Sequence, residues 1–332
     1  MTPHSLVASG RERGTMNRHA LVTGGAGFVG SHLVDALVEG GWSVTVVDDL
    51  SSGTTEHLAQ HRDNPAVEVL EADVCGTWDA PAHTSLVLNF ASPASPPMFL
   101  ERPLETMATG SIGTYKVIEF CLRTGARLIQ ASTSEVYGEP EVHPQPEHYW
   151  GNVNPIGPRS VYDEAKRFSE ALIMAHVRSA GLDAGIVRIF NTYGPRLEAS
   201  DGRVVSNFLS QALRGEPITV YGDGTQTRSF CYVSDLVRGV LAMASREQLT
   251  GPVNLGNPAE ITISQLAGAV RQVTGQDAPV TYAPLPVDDP TQRRPDISLA
   301  AQVLGWKPVV ELPEGLALTS EAMARSLASQ VT

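Results

Sequence analysis

The sequence predicts an α/β protein, a doubly wound parallel sheet with a smaller α/β domain interleaved with it. Three observations lead there. Short apolar runs alternate with helix-period segments from His19 to about residue 190, and a glycine-rich turn joins the first run to the first helical segment. Beyond residue 190 the texture changes to shorter helices between proline- and glycine-rich turns.

The elements follow in order. HALVT (19–23) is an apolar run of strand length, GGAGFVG is a turn, and SHLVDALVEGG places Leu33, Ala36 and Leu37 on one helical face. SVTVVD (43–48) reads as a second buried strand. AVEVLEAD (66–73), SLVLNFA (85–91) and ARLIQAS (126–132) continue the series, with LETMATGSIGTYKVIEFCLRTG (104–125) helical between the last two. Strands alternating with helices imply a parallel sheet covered on both faces. In the second half, YGPR, GEPITVYGDGTQ, VNLGNPAE and APLPVDDP separate the helices VVSNFLSQALRG, ISQLAGAVRQVTG and PEGLALTSEAMARSLA. Such loops can shape a ligand pocket. We therefore expect residues 16–190 and 230–252 to form the larger domain and 191–229 and 253–330 the smaller. Residues 1–15 read as a flexible extension, with Met16 an alternative start.

Composition narrows the function. The 332-residue chain is 42% hydrophobic and 18% charged, enough for an ordinary core, and its formal charge of -12 argues against binding nucleic acid or an anionic membrane. An anionic small ligand would need a local cluster of arginines. Only three lysines occur among 24 basic residues, which makes a well-placed lysine stand out. Cys75, Cys121 and Cys231 fit no metal spacing and read as reduced thiols, and no apolar run reaches membrane-spanning length; a cytoplasmic protein is expected. His57 and His61 are four apart but lack a third ligand, so no metal site is expected.

Gly24, Gly27 and Gly30 sit between a strand and a helix, where glycines let the backbone approach a pyrophosphate at the helix N-terminus. Asp48 ends the next strand, in place to bind the hydroxyls of an adenosine ribose, and would repel a 2′-phosphate. This is a Rossmann fingerprint for NAD. Asp73, at the end of the third strand, is a candidate for the adenine.

Tyr162 and Lys166 lie one turn apart on a helix. A tyrosine hydroxyl titrates near ~10, so an adjacent ammonium and a positive nicotinamide ring would help it act as a base. The hydroxyls of Ser132, Thr133 and Ser134 close the strand ARLIQAS, followed by Glu135. Together with the glycine turn, these pieces resemble the extended short-chain dehydrogenase/reductase family. There, Thr133, Tyr162 and Lys166 would manage the proton of a sugar hydroxyl while NAD takes the hydride.

Longer blocks carry the resemblance further. ASPASPP (91–97), STSEVYGEPEVHPQ (132–145), YWGNVNPIGPRS (149–160), RIFNTYGPR (188–196), DGRVVSNF (201–208), VYGDGTQTRSFCYVSDLV (220–237), VNLGNP (253–258) and the arginine pair in QRRPDI look like the UDP-glucuronate decarboxylase branch of that family. The resemblance implies oxidation at C4 of UDP-glucuronate, loss of carbon dioxide from the resulting β-keto acid, and reduction to UDP-xylose. It also implies cofactor contacts from Phe28, Val29, Asp49, Ser52, Gly53, Val74 and Ala91. Substrate contacts would come from Pro93, Glu135, Asn191, Arg203, Val205, Tyr221, Gln226, Arg228 and Arg293. Arg203 and Arg293 are the candidates for phosphate or carboxylate, while Arg196 and Arg294 read as surface or structural residues. Glu135 would orient the sugar and relay a proton, with Ser134 beside the carboxylate end. A 4,6-dehydratase would carry an acid at position 134, and serine is none. The other readings are a 4-epimerase, a 4,6-dehydratase, or an NAD-sensing protein without catalysis. A homodimer through the helices around 103–124 and 159–180 is implied as well.

Four positions depart from the pattern of that branch. Asn89 stands for a histidine, Gly110 for an asparagine and Ala165 for a glycine, and Thr54-Thr55 replace a basic residue near the cofactor phosphate. They lead us to expect that some product leaves as the UDP-4-keto-pentose.

Overall fold

The computed structural model describes residues 18–286 and 290–329; the expected extension 1–15 lies outside them. The elements are β1 (His19–Thr23), α1 (Phe28–Glu39), β2 (Ser43–Asp48), β3 (Val67–Glu71), β4 (Leu86–Asn89), α2 (Pro96–Glu101), α3 (Pro103–Ala108), α4 (Thr114–Thr124), β5 (Arg127–Thr133), α5 (Ser160–Ala180) and β6 (Ala184–Ile189). Then come β7 (Thr192–Tyr193), α6 (Val204–Leu213), β8 (Ile218–Tyr221), β9 (Thr227–Ser229), β10 (Cys231–Tyr232), α7 (Val233–Ala244), β11 (Val253–Leu255), β12 (Glu260–Thr262), α8 (Ile263–Thr274), β13 (Val280–Ala283), β14 (Gln292–Arg293), α9 (Ser298–Leu304) and α10 (Leu312–Ser329).

Seven parallel strands form the main sheet in the order β11-β6-β5-β4-β1-β2-β3. The chain leaves β1 toward β2 and β3, then returns to β1's other side through β4. This reversal opens a crevice at the C-terminal ends of β1 and β4, where open α/β sheets bind ligands. The expected strands and helices are present, with ends shifted by a few residues. The sheet takes its seventh strand, Val253–Leu255, from beyond residue 252.

Burial explains the layers. β1, β4 and β5 are buried along their whole length, while β3 at the sheet edge leaves Glu68, Val69 and Glu71 exposed. α1 and α7 cover one face through Leu33, Leu37, Leu236 and Val240. α4 and α5 cover the other through Val117, Ile118, Cys121 and Ile173. The segment 104–125 is not one uniform helix: a π turn at Thr109–Gly113 separates α3 from α4. The smaller domain packs α6, α8 and α10 with three short sheets, one of which pairs β9 with β12 and β14. α8 starts on a capping box in which Thr262 and Gln265 satisfy each other's backbone N–H.

Candidate active site

A cleft of about 930 Å³ lies over the C-terminal ends of the central strands, walled on its far side by the smaller domain. Every site residue expected from the sequence lines it, apart from Gly53. Gly53 instead packs on the glycine turn, where a Cβ would stand 2.7 Å from the Ala26 carbonyl carbon.

On the cofactor side, Gly24 has φ 69° and its Cβ would meet the Ala91 nitrogen at 2.7 Å, so only glycine fits. α1 begins at Phe28 with no side-chain cap, which leaves its first N–H groups pointing into the cleft. Asp48 accepts the amides of Ala26 and Leu50, each at 2.9 Å. Burial raises its carboxyl pKa, and those two amides oppose the rise. Asp49, Ser52, Val74 and Ala91 stand along the same wall. Asp73 turns back to accept the Cys75 amide at 2.8 Å. A glycine-lined turn, an uncapped helix start and a carboxylate at the end of β2 together fit a dinucleotide such as NAD. Arg203, expected at the substrate, is held by Asp201 (2.8 Å from Nη2) and lies 5.8 Å over the Phe28 ring, on the cofactor's flank.

On the catalytic side, α5 brings Tyr162 and Lys166 under the end of β5, and Tyr162 hydrogen-bonds to Thr133. Thr133 Oγ1 also accepts the Glu135 amide at 3.2 Å, which fixes the turn after β5. The expected effect of Lys166 on Tyr162 is not visible among the protein's own groups. Its Nζ donates to the Ala131 carbonyl at 3.1 Å and lies 5.7 Å from the Tyr162 ring centroid. Burial pushes the Tyr162 hydroxyl up to about 12, Thr133 draws it down, and the Glu135 carboxylate raises it further. Burial also pulls Lys166 down to about 8. Phe99 stacks on Tyr162, with centroids 5.1 Å apart and planes 8° from parallel.

Asn89, the first departure, is fully bonded. Thr23 Oγ1 donates to its Oδ1 at 2.6 Å, and its Nδ2 donates to Gln130 Oε1 at 2.7 Å. Gln130 donates in turn to the Ala131 carbonyl at 3.1 Å, the acceptor used by Lys166. Thr23, Asn89 and Gln130 are register partners across three strands, so sheet geometry builds this chain.

Glu135 sits between two guanidinium groups. Arg159 Nη2 donates to Oε2 at 2.7 Å, and Arg293 Nη1 lies 3.7 Å from Oε1. Burial opposes ionisation, but Arg293 and Arg159 outweigh it and hold the carboxyl well below the usual range. Behind it, Asp163 is pushed well up, first by burial and then by the Glu135 charge. Arg293 also donates to the carbonyls of Ser134 and Gly138, so it shapes the turn that carries Ser134 and Glu135. Arg228 is its register partner on β9 and bonds the Thr227 and Pro290 carbonyls. Pro93, Asn191, Val205, Tyr221 and Gln226 complete the far wall. Sequence reading missed Arg159 and Phe99. Arg159 precedes Tyr162 by three residues at the start of the same helix, a spacing that marks it as a neighbour of the tyrosine.

Among the described residues no cluster of metal ligands occurs, and no helix is long and apolar enough to cross a membrane.

Comparison with known proteins places this arrangement. The NAD dependent epimerase/dehydratase family matches residues 20–256. UDP-glucuronic acid decarboxylase 1 of Xenopus tropicalis is 47% identical over 315 residues, covering 94% of this chain and 74% of the relative. UDP-glucuronic acid decarboxylase 6 of Arabidopsis thaliana is 49% identical over 306 residues, covering 92% and 88%. Among solved structures, the UDP-glucose 4-epimerase of Thermotoga maritima with UDP-glucose superposes with a TM-score of 0.84 at 32% identity, covering 93% of this chain and 99% of that one. The UDP-glucuronic acid 4-epimerase of Bacillus cereus, with NAD and a 4-fluoro analogue of UDP-glucuronic acid, gives 0.83 at 25% identity over the same shares. The chain belongs to the NAD dependent epimerase/dehydratase family and, within it, to the family of the UDP-glucuronic acid decarboxylases.

Proposed function

We propose that the protein decarboxylates UDP-glucuronate to UDP-xylose. The observation that carries this reading is Glu135, an ionised carboxylate held by Arg159 and Arg293 beside Thr133 and Tyr162. A carboxylate held ionised is a poor general acid, and position 134 is a serine, which speaks against dehydration. Two guanidinium groups at the sugar end of the cleft suit a substrate that carries a carboxylate of its own.

NAD, held at the glycine turn, the start of α1 and Asp48, would supply a hydride acceptor and donor for C4. Tyr162 takes the proton of the C4 hydroxyl, helped by Thr133 and by the charge of Lys166. The 4-ketone is β to the C5 carboxylate, so the C5–C6 bond breaks, carbon dioxide leaves, and its electron pair becomes a C4–C5 enolate. Hydrogen bonds from Tyr162 and Thr133 stabilise the oxyanion. A solvent-derived proton then adds at C5, and Tyr162 returns its proton as C4 is reduced. Glu135 orients the ring by accepting a sugar hydroxyl, while Arg159 and Arg293 secure its position. Arg228, Asn191, Tyr221 and Gln226 are assigned to the UDP moiety.

The bonded Asn89 and the packed Gly110 support UDP-xylose as the main product, with the UDP-4-keto-pentose a minor one. A 4-epimerase is the second reading, favoured by the solved structures. Carbon dioxide from carboxyl-labelled UDP-glucuronate decides: release supports decarboxylation, and retention of the label in a C4 epimer rejects it.

Two chains would pair through α3, the π turn, α4 and α5, which leave Leu104, Met107, Ile112, Tyr115 and Phe168 exposed. Light scattering at micromolar concentration tests this: a monomer mass would reject it. The three free cysteines suit a reducing, cytoplasmic setting.

A further inference from the structure

The short helix after β4 carries a ring into the catalytic side of the cleft. α2 opens on Pro96 and Pro97, whose fixed φ suits a helix start, and Phe99 follows in the same turn. Phe99 lines the cleft and is 1% exposed. Its ring lies on that of Tyr162, with centroids 5.1 Å apart and planes 8° from parallel. The Arg159 guanidinium carbon stands 5.7 Å from the Phe99 centroid, and Arg159 is itself bonded to Glu135 at 2.7 Å. Pro97 meets the smaller domain at Gly202, which has φ 85° and whose Cβ would stand 2.5 Å from Pro97 Cγ. α2 is therefore held between α5 and that loop, which fixes where the Phe99 ring stands.

The stack matters because of how a phenol is built. The O–H bond of a tyrosine prefers the plane of its ring. Rotation about χ2 leaves the oxygen in place but turns its proton and lone pairs, and that torsion has no sharp rotamer of its own. The hydrogen bond to Thr133 fixes one direction at the Tyr162 oxygen, and the ring plane sets the other. Lys166 does not set that plane, since its Nζ is bonded to the Ala131 carbonyl and lies 5.7 Å from the ring centroid. Among the described residues, Phe99 is the one aromatic ring stacked on Tyr162.

We propose that Phe99 is a positioning residue for Tyr162: it holds the plane of the tyrosine ring and so aims the hydroxyl at the C4 hydroxyl of the sugar. It acts through Tyr162 rather than on the sugar. The inference rests on Tyr162 being the base of the proposed decarboxylation.

A double-mutant cycle tests it, with carbon dioxide from carboxyl-labelled UDP-glucuronate as the rate and UDP binding as the count of folded sites. Phe99→Leu keeps an apolar side chain and removes the flat surface. It should lower kcat about ten- to a hundredfold, with KM and UDP affinity within about twofold of wild type. Phe99→Tyr keeps the ring and should retain the rate. In Tyr162→Phe, which has no hydroxyl to aim, adding Phe99→Leu should cost less than about twofold more. An equal loss in both backgrounds, or an unchanged kcat in folded Phe99→Leu, overturns the inference. If Tyr162→Phe is too slow to measure, the split decides: UDP affinity falling as far as kcat, or Phe99→Tyr as slow as Phe99→Leu, overturns it. If Phe99→Leu does not fold, Phe99→Met is read by the same comparison. Wild-type protein that releases no carbon dioxide overturns the decarboxylase reading, and this inference with it.

Discussion

Gly110 and Ala165 share one contact between the π turn and α5: a Cβ on Gly110 would stand 2.7 Å from the Ala165 Cβ and 3.0 Å from its carbonyl oxygen. Ser169 Oγ lies against both backbones, 2.7 Å from the Gly110 carbonyl and 2.9 Å from that of Ala165. In the sequence these look like two unrelated departures. In space they are one exchange, a methyl group gained on α5 and a side chain given up opposite it. The first prediction follows. Gly110→Ala should cost about 1–3 kcal/mol through overpacking, and Ala165→Gly in the same chain should recover most of that. Denaturant melts of the single and double variants measure it; strictly additive losses would contradict the exchange.

Asn89 gives the second prediction. Its amide is the middle link between Thr23 and Gln130, and the chain ends on the carbonyl that receives Lys166. Asn89→Leu takes the acceptor from the Thr23 hydroxyl proton, whose oxygen keeps the Phe90 and Ala91 amides, and the donor from Gln130 Oε1, for a loss of about 1–3 kcal/mol. Both stability and kcat should fall. Unchanged kcat in a folded Asn89→Leu protein would show that Lys166 does not depend on this chain.

The third concerns acid. Glu135 has a folded pKa below its unfolded value of ~4.3, so its contribution to stability is full above that value and is lost as pH falls through the folded one. Removing one guanidinium weakens the hold. In Arg159→Met the acid limb of kcat/KM should move up by about one pH unit, and kcat should fall at neutral pH. A pH profile superposable on the wild type would reject the role of Arg159.

The fourth concerns base. Burial pulls Lys166 down to about 8, and in the proposed mechanism it is the charged ammonium that serves Tyr162. Its folded pKa is below its unfolded value, so stability should rise with pH between about 8 and ~10.4 as the cost of burying its charge disappears. Activity should run the other way and decline above about pH 8. Lys166→Met should lower kcat by about 10²–10⁴, and Lys166→Arg should move the alkaline limb upward. An alkaline limb that stays in place in Lys166→Arg would assign it to another group.

Much of this site was legible in the sequence because its parts are local. The glycine turn, Asp48 at the end of β2, the residues closing β5, and the Tyr162–Lys166 turn each announce themselves within a few residues. What was not legible depends on distance in space. Glu135 and Arg293 lie far apart in the chain, one after β5 of the main sheet and the other on β14, which pairs with β9, and they meet only in space. The stack of Phe99 on Tyr162 joins α2 to α5, whose residues have no shared pattern. That burial raises the Tyr162 pKa, with no contribution from Lys166 among the protein's own groups, was not legible from spacing, since helical proximity says nothing about how deeply both are buried. The π turn escaped notice because its residues continue a helical pattern on either side.

The central claim is that a C4 ketone labilises the C5 carboxylate and that solvent supplies the new proton at C5. The most direct measurement is the reaction of UDP-glucuronate in deuterium oxide with catalytic NAD, followed by mass spectrometry and NMR of the nucleotide sugar. The account predicts a UDP-pentose with one deuterium at C5 and one equivalent of carbon dioxide. A product of unchanged carbon count, inverted at C4 and free of deuterium, would contradict it.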